Sequence, residues 1–443
     1  MQRRFLHAAL GFAIATVAST AYAQISLSSA VDLALRSDPR VQSARADADK
    51  ARATLSEAKS AYVPVVGAVG GVGKGTGVPL SVPTIFTISA QSLVWNASQV
   101  DYIRAAHFGW NATQFALQQA EDDVAEDAVY TYLALNNAQQ RKAAAQRALD
   151  HAAKLVRITQ DRVNSGVDAH IELPRAHRTM IGIQLQMLTT DSEVAQLSDH
   201  LARLTGLNGS QPSTESDTIP SIPDVATLTS EHLPPETISP ALEAAQANER
   251  AKMSQASADS KYLYRPIVGF GANYARITTD FSSYSTYYPA FKKDDLSRNS
   301  LSLGIQINLP LLDQTHRAKA RESAAEARKA HFDALRARDQ FMEGRLKLKT
   351  SATELELNAE AAQDDVDEAR DTLETVLIQL RPEAGEVSNG QAPLTPKDEE
   401  KARLNIAQKE LDLLKAKQQL LQTEVSLMRQ TGQLSSWLRT AIH

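Results

Sequence analysis

Apolar positions along this chain recur at two periods, each confined to its own stretches. Ala176, Met180, Ile183, Met187, Thr190, Val194, Leu197, Leu201 and Leu204 advance by alternating steps of four and three residues, which marks a helix burying one stripe in a coiled coil. A second seam with the same steps, Ile181, Leu185, Leu188, Ser192 and Ala195, runs beside it. A helix with two adjacent seams packs against two neighbours, as every member of a closed ring of helices must. Leu404, Ala407, Leu411, Leu414, Gln418, Leu421, Val425 and Met428 repeat the pattern near the C-terminus. Elsewhere the period falls to two. Leu301, Leu303, Ile305, Ile307 and Leu309 alternate with Ser302, Gly304, Gln306 and Asn308, which predicts a strand with one apolar face and one small or polar face.

These patterns fall into two similar halves. Repeat 1 (24–206) is predicted to hold an Ala-rich helix over 28–61, interrupted near its start by Asp38-Pro39, strands within 64–94, a long helix over 97–165 and a return helix over 169–205. A Ser-, Thr- and Pro-rich linker covers 207–240. Repeat 2 (241–432) follows with a helix over 241–262, strands within 266–310, a long helix over 313–380 and a return helix over 397–431, before a tail at 433–443. Leu-x-Arg-x-Thr-Gly closes both return helices, at Leu201–Gly206 and Leu427–Gly432. Tyr62-Val63-Pro64 and Tyr264-Arg265-Pro266 open both strand regions, and Pro174 predicts a kink early in the first return helix. Each long helix would run roughly 100 Å at 1.5 Å per residue. Four strands per chain cannot close a membrane barrel, for which about eight is the single-chain minimum. Three chains in a head-to-tail ring would supply twelve strands and leave no open edge.

Composition narrows the class. Arg3-Arg4, an apolar run from Phe5 to Val17 and Ala21-Tyr22-Ala23 predict a secretory signal peptide over 1–23. The net charge of −5 becomes more negative once Arg3 and Arg4 are removed, which argues against nucleic acid as a partner. With no cysteine there are no disulfides, thiolate metal sites or catalytic thiols. No later stretch is apolar for long enough to form a membrane helix, so entry into a membrane would have to be as a β-barrel. No catalytic, cofactor or metal constellation emerges. Gly70-Gly71-Val72-Gly73-Lys74-Gly75-Thr76 lacks the first Gly and the Ser or Thr of a phosphate loop, and His170 and His177 have no further ligands at metal spacing.

The order and duplication of these pieces resemble the TolC-like outer-membrane efflux proteins, the outer membrane factor family. The resemblance rests on Ala34-Leu35-x-x-Asp38-Pro39, Pro310-Leu311-Leu312-Asp313 with its echo Leu93-Val94-Trp95-Asn96, the turn at Gly166 and the repeated Leu-x-Arg-x-Thr-Gly. It implies a mixed fold, a coiled-coil tunnel with a transmembrane β-barrel, in which a homotrimer makes a 12-stranded barrel and a helical α-barrel. It also implies location in the outer membrane of a Gram-negative cell, extending into the periplasm, and contact with outer-membrane lipid. Such a subunit is a passive conduit in a tripartite efflux or type I secretion system, carrying drugs, small molecules or proteins. Its expected partners are a periplasmic adaptor (membrane fusion) protein and an inner-membrane transporter. The family's adaptor-docking turns correspond here to Ser165, Gly166 and Val167, and to Gly390, Gln391 and Ala392. A pore-constricting acid is expected just after the second turn, where Asp398 stands, although Asp398 also suits the N-terminus of its own helix. Lys401 occupies the place of the next pore acid. The competing class is a soluble periplasmic coiled-coil adaptor or scaffold, which has no use for an apolar face on Leu301 to Leu309.

Overall fold

The computed structural model describes residues 24–71, 84–207, 212–228, 239–277, 299–310, 312–380 and 394–440. The expected signal peptide, the phosphate-loop-like stretch beyond residue 71 and the tip residues Gly390, Gln391 and Ala392 lie outside the described residues.

The chain opens with β1 (Gln24–Ile25), α1 (Leu27–Ser37) and α2 (Pro39–Ser60). The break at Asp38 follows from Pro39, which disfavours helical backbone in the residue before it; Asp38 sits at φ −67°, ψ 128°. Two strands follow, β2 (Val65–Gly70) and β3 (Thr84–Asn96), then α3 (Ala97–Asn164) and α4 (Glu172–Thr205). Between the halves lie β4 (Ser213–Thr214), a 3-10 turn (Ser216–Thr218) and the single turn α5 (Val225–Leu228). The second half has α6 (Pro240–Tyr262), β5 (Ile267–Ile277), β6 (Asn299–Asn308), α7 (Gln314–Gln379), α8 (Pro396–Gln430) and α9 (Leu434–Thr440). Pro174 does not kink α4. It falls in the first turn, where helix N–H groups have no intrahelical partner and a proline costs nothing.

The described chain divides into two compact units. The first holds residues up to Pro39, Asp122–Pro235 and Lys347 onward. Its core is a run of small residues on α3, Ala144, Ala145, Ala148, Ala152 and Leu155, packed with Ile183 of α4 and Leu404, Ala407 and Leu411 of α8. Alanine at these positions lets helix axes approach closely, and Met180, Met187 and Leu414 fill the flanks. The first seam of α4 is therefore used inside the chain. The second is not: Ile181, Leu185 and Leu188 are 58%, 62% and 66% exposed. Fully buried Tyr132 ties the linker to α3, its hydroxyl donating to the Ile25 carbonyl (2.8 Å) and accepting from the Glu215 N–H (2.8 Å). Beside it β1 and β4 pair in parallel.

The two Leu-x-Arg-x-Thr-Gly segments do the same work in this unit. Leu201 and Leu427 are buried, and the hydroxyls of Thr205 and Thr431 donate to the carbonyls of Leu201 and Leu427 (2.8 and 2.9 Å). Gly206 and Gly432 then turn the chain out of the helix at φ 74° and 69°, in the left-handed region that suits a residue without a Cβ.

The second unit holds Arg40–Glu121 and Glu236–Leu346. Its sheet has the order β2-β3-β5-β6, antiparallel throughout. Each strand pair leads into a helix capped by the same device. Asn96 accepts the N–H of Ser98 (2.9 Å) at the start of α3, and Asp313 accepts the N–H of His316 (3.0 Å) at the start of α7. Buried Asp101 of α3 receives Lys261 and Ser257 of α6 and Arg104 of its own helix, so α3 and α6 are held together just beyond the strands.

A Cβ added at Gly206 would stand 3.1 Å from the Cβ of Ser37, whereas one at Gly166, also at positive φ, meets nothing within 4 Å. Gly206→Ala is therefore expected to destabilise the protein by about 2 kcal/mol and Gly166→Ala by about 1 kcal/mol. Thermal denaturation of the purified protein checks this, and equal losses would show that the contact with Ser37 adds nothing.

Candidate functional site

The sheet carries the first candidate surface. Because paired residues of antiparallel strands point to the same side, the register fixes the content of each face. On one side lie Leu301, Tyr274 and Ile88 in one row, and Leu303, Ala272, Ala90 and Val66 in the next. On the other side Ser302, Asn273, Ser89 and Gly67 form a row, followed by Gly304, Gly271, Gln91 and Val65. The alternation read from β6 thus extends through the sheet as one apolar face and one mostly small or polar face. On β6 the apolar face is bare, Leu301, Leu303, Ile305 and Ile307 being 66–70% exposed, while Ile88, Ala90, Ala272 and Tyr274 of β3 and β5 are half-buried. Such a continuous apolar patch on a folded surface marks a lipid or protein contact. β3, β5 and β6, at 13, 11 and 10 residues, have the length a tilted membrane strand needs, about 9–11 residues. Among the described residues β2 and β6 each pair on one side only, so the sheet has two open edges. No helix among the described residues is long and apolar enough to cross a membrane.

The second candidate is the turn between α3 and α4, in the first unit. Gly166, at φ 71°, donates to the Val163 carbonyl (3.0 Å), and the N–H groups of Val167 and Asp168 both reach the Arg162 carbonyl. This closes α3 with a left-handed glycine and leaves Ser165, Gly166 and Val167 exposed at the apex. Behind the apex is an ionic clamp. Lys397, in the first turn of α8 and only 7% exposed, donates to Asp168 (2.6 Å) and Glu172 (3.2 Å). Arg162 also donates to Asp168 (3.0 Å), and Arg175 to Glu172 (2.8 Å). The Arg162 hydrogen bond, then that of Lys397, hold the Asp168 carboxyl down to about 2. Burial would push Lys397 down, but the hydrogen bonds from Asp168 and Glu172 outweigh it and its pKa rises. The clamp fixes the start of α8 against the α3–α4 turn, so the exposed apex is presented on a rigid base.

Asp398 is next to this clamp. Its Oδ2 accepts from the Thr395 N–H (2.9 Å) and hydroxyl (2.7 Å), a capping box at the N-terminus of α8. Glu399 pairs with Arg403 (2.7 Å), Glu400 with His151 (2.8 Å), and Lys401 is exposed. Of the residues picked from sequence, the structure thus brings Ser165, Gly166 and Val167 to one apex and places Asp398 at the base of the same region. Sequence reasoning missed Arg162, Asp168, Glu172 and Lys397. The available signal was Lys397 itself, a cation in a first helical turn, where the macrodipole favours acids.

Comparison with solved structures shows the same fold. The outer membrane protein VceC of Vibrio cholerae is similar at 15% identity, over 92% of this chain and 96% of that one, with a TM-score of 0.70. The CmeC outer membrane channel of Campylobacter jejuni is similar at 16% identity, over 94% and 89%, with a TM-score of 0.69. The open state of the MtrE outer membrane channel of Neisseria gonorrhoeae is similar at 14% identity, over 92% and 89%, with a TM-score of 0.69. No curated protein matches the chain in sequence. A family model does: residues 30–207 match the outer membrane efflux proteins. The TolC-like resemblance and the mixed tunnel-and-barrel fold class are borne out, and the family is one of channels rather than enzymes.

For this chain the clamp predicts a pH dependence. The folded-state pKa of Asp168 is depressed below its ordinary 3.8, so its stabilising effect is complete above that value and is lost as pH falls through about 2. The thermal midpoint of the wild type should therefore fall more steeply between about pH 4 and about pH 2 than that of Asp168→Asn. Superimposable midpoint curves would remove the clamp from the stability of the turn.

Proposed function

We propose that this chain is the outer-membrane channel subunit of an efflux system, a passive conduit with no catalytic step. The observation that carries the reading is the sheet, with an apolar face bared on β6, a small polar face and, among the described residues, two open edges, on strands long enough to cross a bilayer. Three chains joined edge to edge would satisfy every strand edge and make a closed barrel with the apolar side toward lipid and the polar side toward a water-filled lumen. The unused seam of α4 supports the same operation, because Ile181, Leu185 and Leu188 are spaced to receive a helix of the next subunit. A soluble adaptor gains nothing from the bare face on Leu301 to Ile307, and that alternative has no support.

In this reading the protein lies in the outer membrane of a Gram-negative cell and extends into the periplasm. It works with a periplasmic adaptor and an inner-membrane transporter that supplies the energy. The apex Ser165-Gly166-Val167 is the described part of the adaptor-docking surface, and Gly390, Gln391 and Ala392 are its counterpart in the other half. Asp398 narrows the pore as one of three symmetry-related carboxyls, a role beside its helix cap, which uses Oδ2.

Planar-bilayer recording on the detergent-extracted protein tests the channel. Discrete conductance steps are expected; recovery in the soluble periplasmic fraction without conductance would sink the reading. Leu303→Arg on the apolar face should cost about 2–4 kcal/mol of membrane stability, while Ser302→Arg on the opposite face should insert normally and alter conductance. Equal insertion defects in the two variants would contradict the assignment of faces. Asp398→Asn should weaken block of the channel by polyvalent cations, and an unchanged block removes Asp398 from the pore.

A further inference from the structure

In the first unit, away from the turn, α3, α8 and the linker segment line a cavity of about 290 Å³ that opens to solvent. Its apolar wall includes Leu133 of α3, Ile219 and Ile222 of the linker and Leu421 of α8. Asn136, Asn137 and Gln140 line it from α3 and Glu424 from α8. Each amide spends one of its two N–H donors within the protein. Asn136 Nδ2 donates to Ser216 (3.1 Å), Asn137 Nδ2 to the Leu414 carbonyl (2.9 Å) and Gln140 Nε2 to Asn136 Oδ1 (3.0 Å). On Gln140 the carbonyl oxygen, an acceptor, receives no hydrogen bond from the described residues, and one N–H remains beside it.

Glu424 is only 7% exposed, and no described residue hydrogen-bonds its carboxyl. The charges acting on it are of its own sign: Glu356 of α7 and Asp224 just before α5. Lys417, two turns earlier on α8, reaches the cavity from the exposed side. Burial first, then Glu356 and Asp224, push the Glu424 carboxyl up to about 7. A buried carboxyl is normally retained with a partner, and one that no described donor reaches, on a wall with apolar side chains and the Gln140 carbonyl, is complemented by a donor cation with a hydrocarbon body.

We propose that this cavity is a binding site for a small protonated amine carrying an apolar group, with the ammonium held by Glu424 and the Gln140 carbonyl and the hydrocarbon part by Leu133, Ile219, Ile222 and Leu421. Binding requires the Glu424 carboxylate, so a proton competes with the amine. The site is built within one chain and needs no barrel closure, so it stands or falls separately from the channel reading.

Titration calorimetry on the full-length detergent-extracted protein, with benzylamine as probe and benzyl alcohol as its neutral counterpart, tests the site. One saturable benzylamine site per chain is expected, about tenfold tighter near pH 8 than near pH 6, because benzylamine stays charged over that range while Glu424 ionises. Glu424→Gln should weaken binding at least about tenfold at the higher pH and abolish its pH dependence. Ile222→Trp, which fills the cavity and keeps the carboxyl, should abolish binding and serves where Glu424→Gln fails to assemble. Equal binding of benzyl alcohol, unchanged benzylamine affinity in either variant, or no saturable binding would overturn the proposal.

Discussion

Backbone hydrogen bonding in lipid is the constraint from which the rest of this molecule follows. In a bilayer core no water satisfies a free N–H or carbonyl, so a four-stranded sheet whose described residues leave two edges open cannot stay there alone. The chain meets that constraint by being incomplete. Its sheet leaves the edges β2 and β6 unpaired among the described residues, and its helix α4 exposes Ile181, Leu185 and Leu188, both of which need partners of the same kind. A head-to-tail ring supplies them at once, whereas an isological pair would leave two sheet edges unsatisfied.

The same economy shows inside the chain. Duplication lets one solution serve twice: Asn96 and Asp313 start long helices in the same way, and Thr205-Gly206 and Thr431-Gly432 end return helices in the same way. These positions can be shared because they solve a local problem of backbone termination. The small-residue face of α3 solves a different problem. Helices that pack side by side over many turns need close axes more than large side chains, and Ala144, Ala145, Ala148 and Ala152 provide that closeness without steric conflict.

What was legible in the sequence follows the same division. Periodic features were readable because they repeat: the period of two in β6 announced an apolar face, and the alternating steps in α4 announced two seams, of which the structure uses one within the chain. The glycine turn at Gly166 was readable because left-handed backbone selects its residue. Features fixed by single long-range contacts were not. β1 and β4 are two residues each, too short for any period, and are held by pairing and by Tyr132. Nothing in residues 433–443 suggested a helix, yet α9 forms there, with Trp437 buried and its indole N–H donating to the Ser221 carbonyl (3.1 Å). At the turn, sequence drew attention to the acids after Pro396, while the residue that organises the region is Lys397, whose partners are more than two hundred positions away in the chain.

Lys397 and Glu424 show how differently one helix can treat a buried charge. Both sit on α8 and both are 7% exposed. Lys397 is met by two carboxylates, so its charge is reinforced and the turn is braced in one geometry. Glu424 is met by two further acids and, among the described residues, by no donor, so its pKa rises to about 7 and its charge answers to whatever enters the cavity. A paired charge in the interior serves rigidity, because breaking it leaves the other member stranded. An unpaired group poised near the ambient pH can instead respond to a ligand, because little free energy separates its two protonation states. Placing the first behind an exposed apex and the second on a cavity wall fits a helix that must hold a contact surface firmly at its start and keep an adjustable site further along.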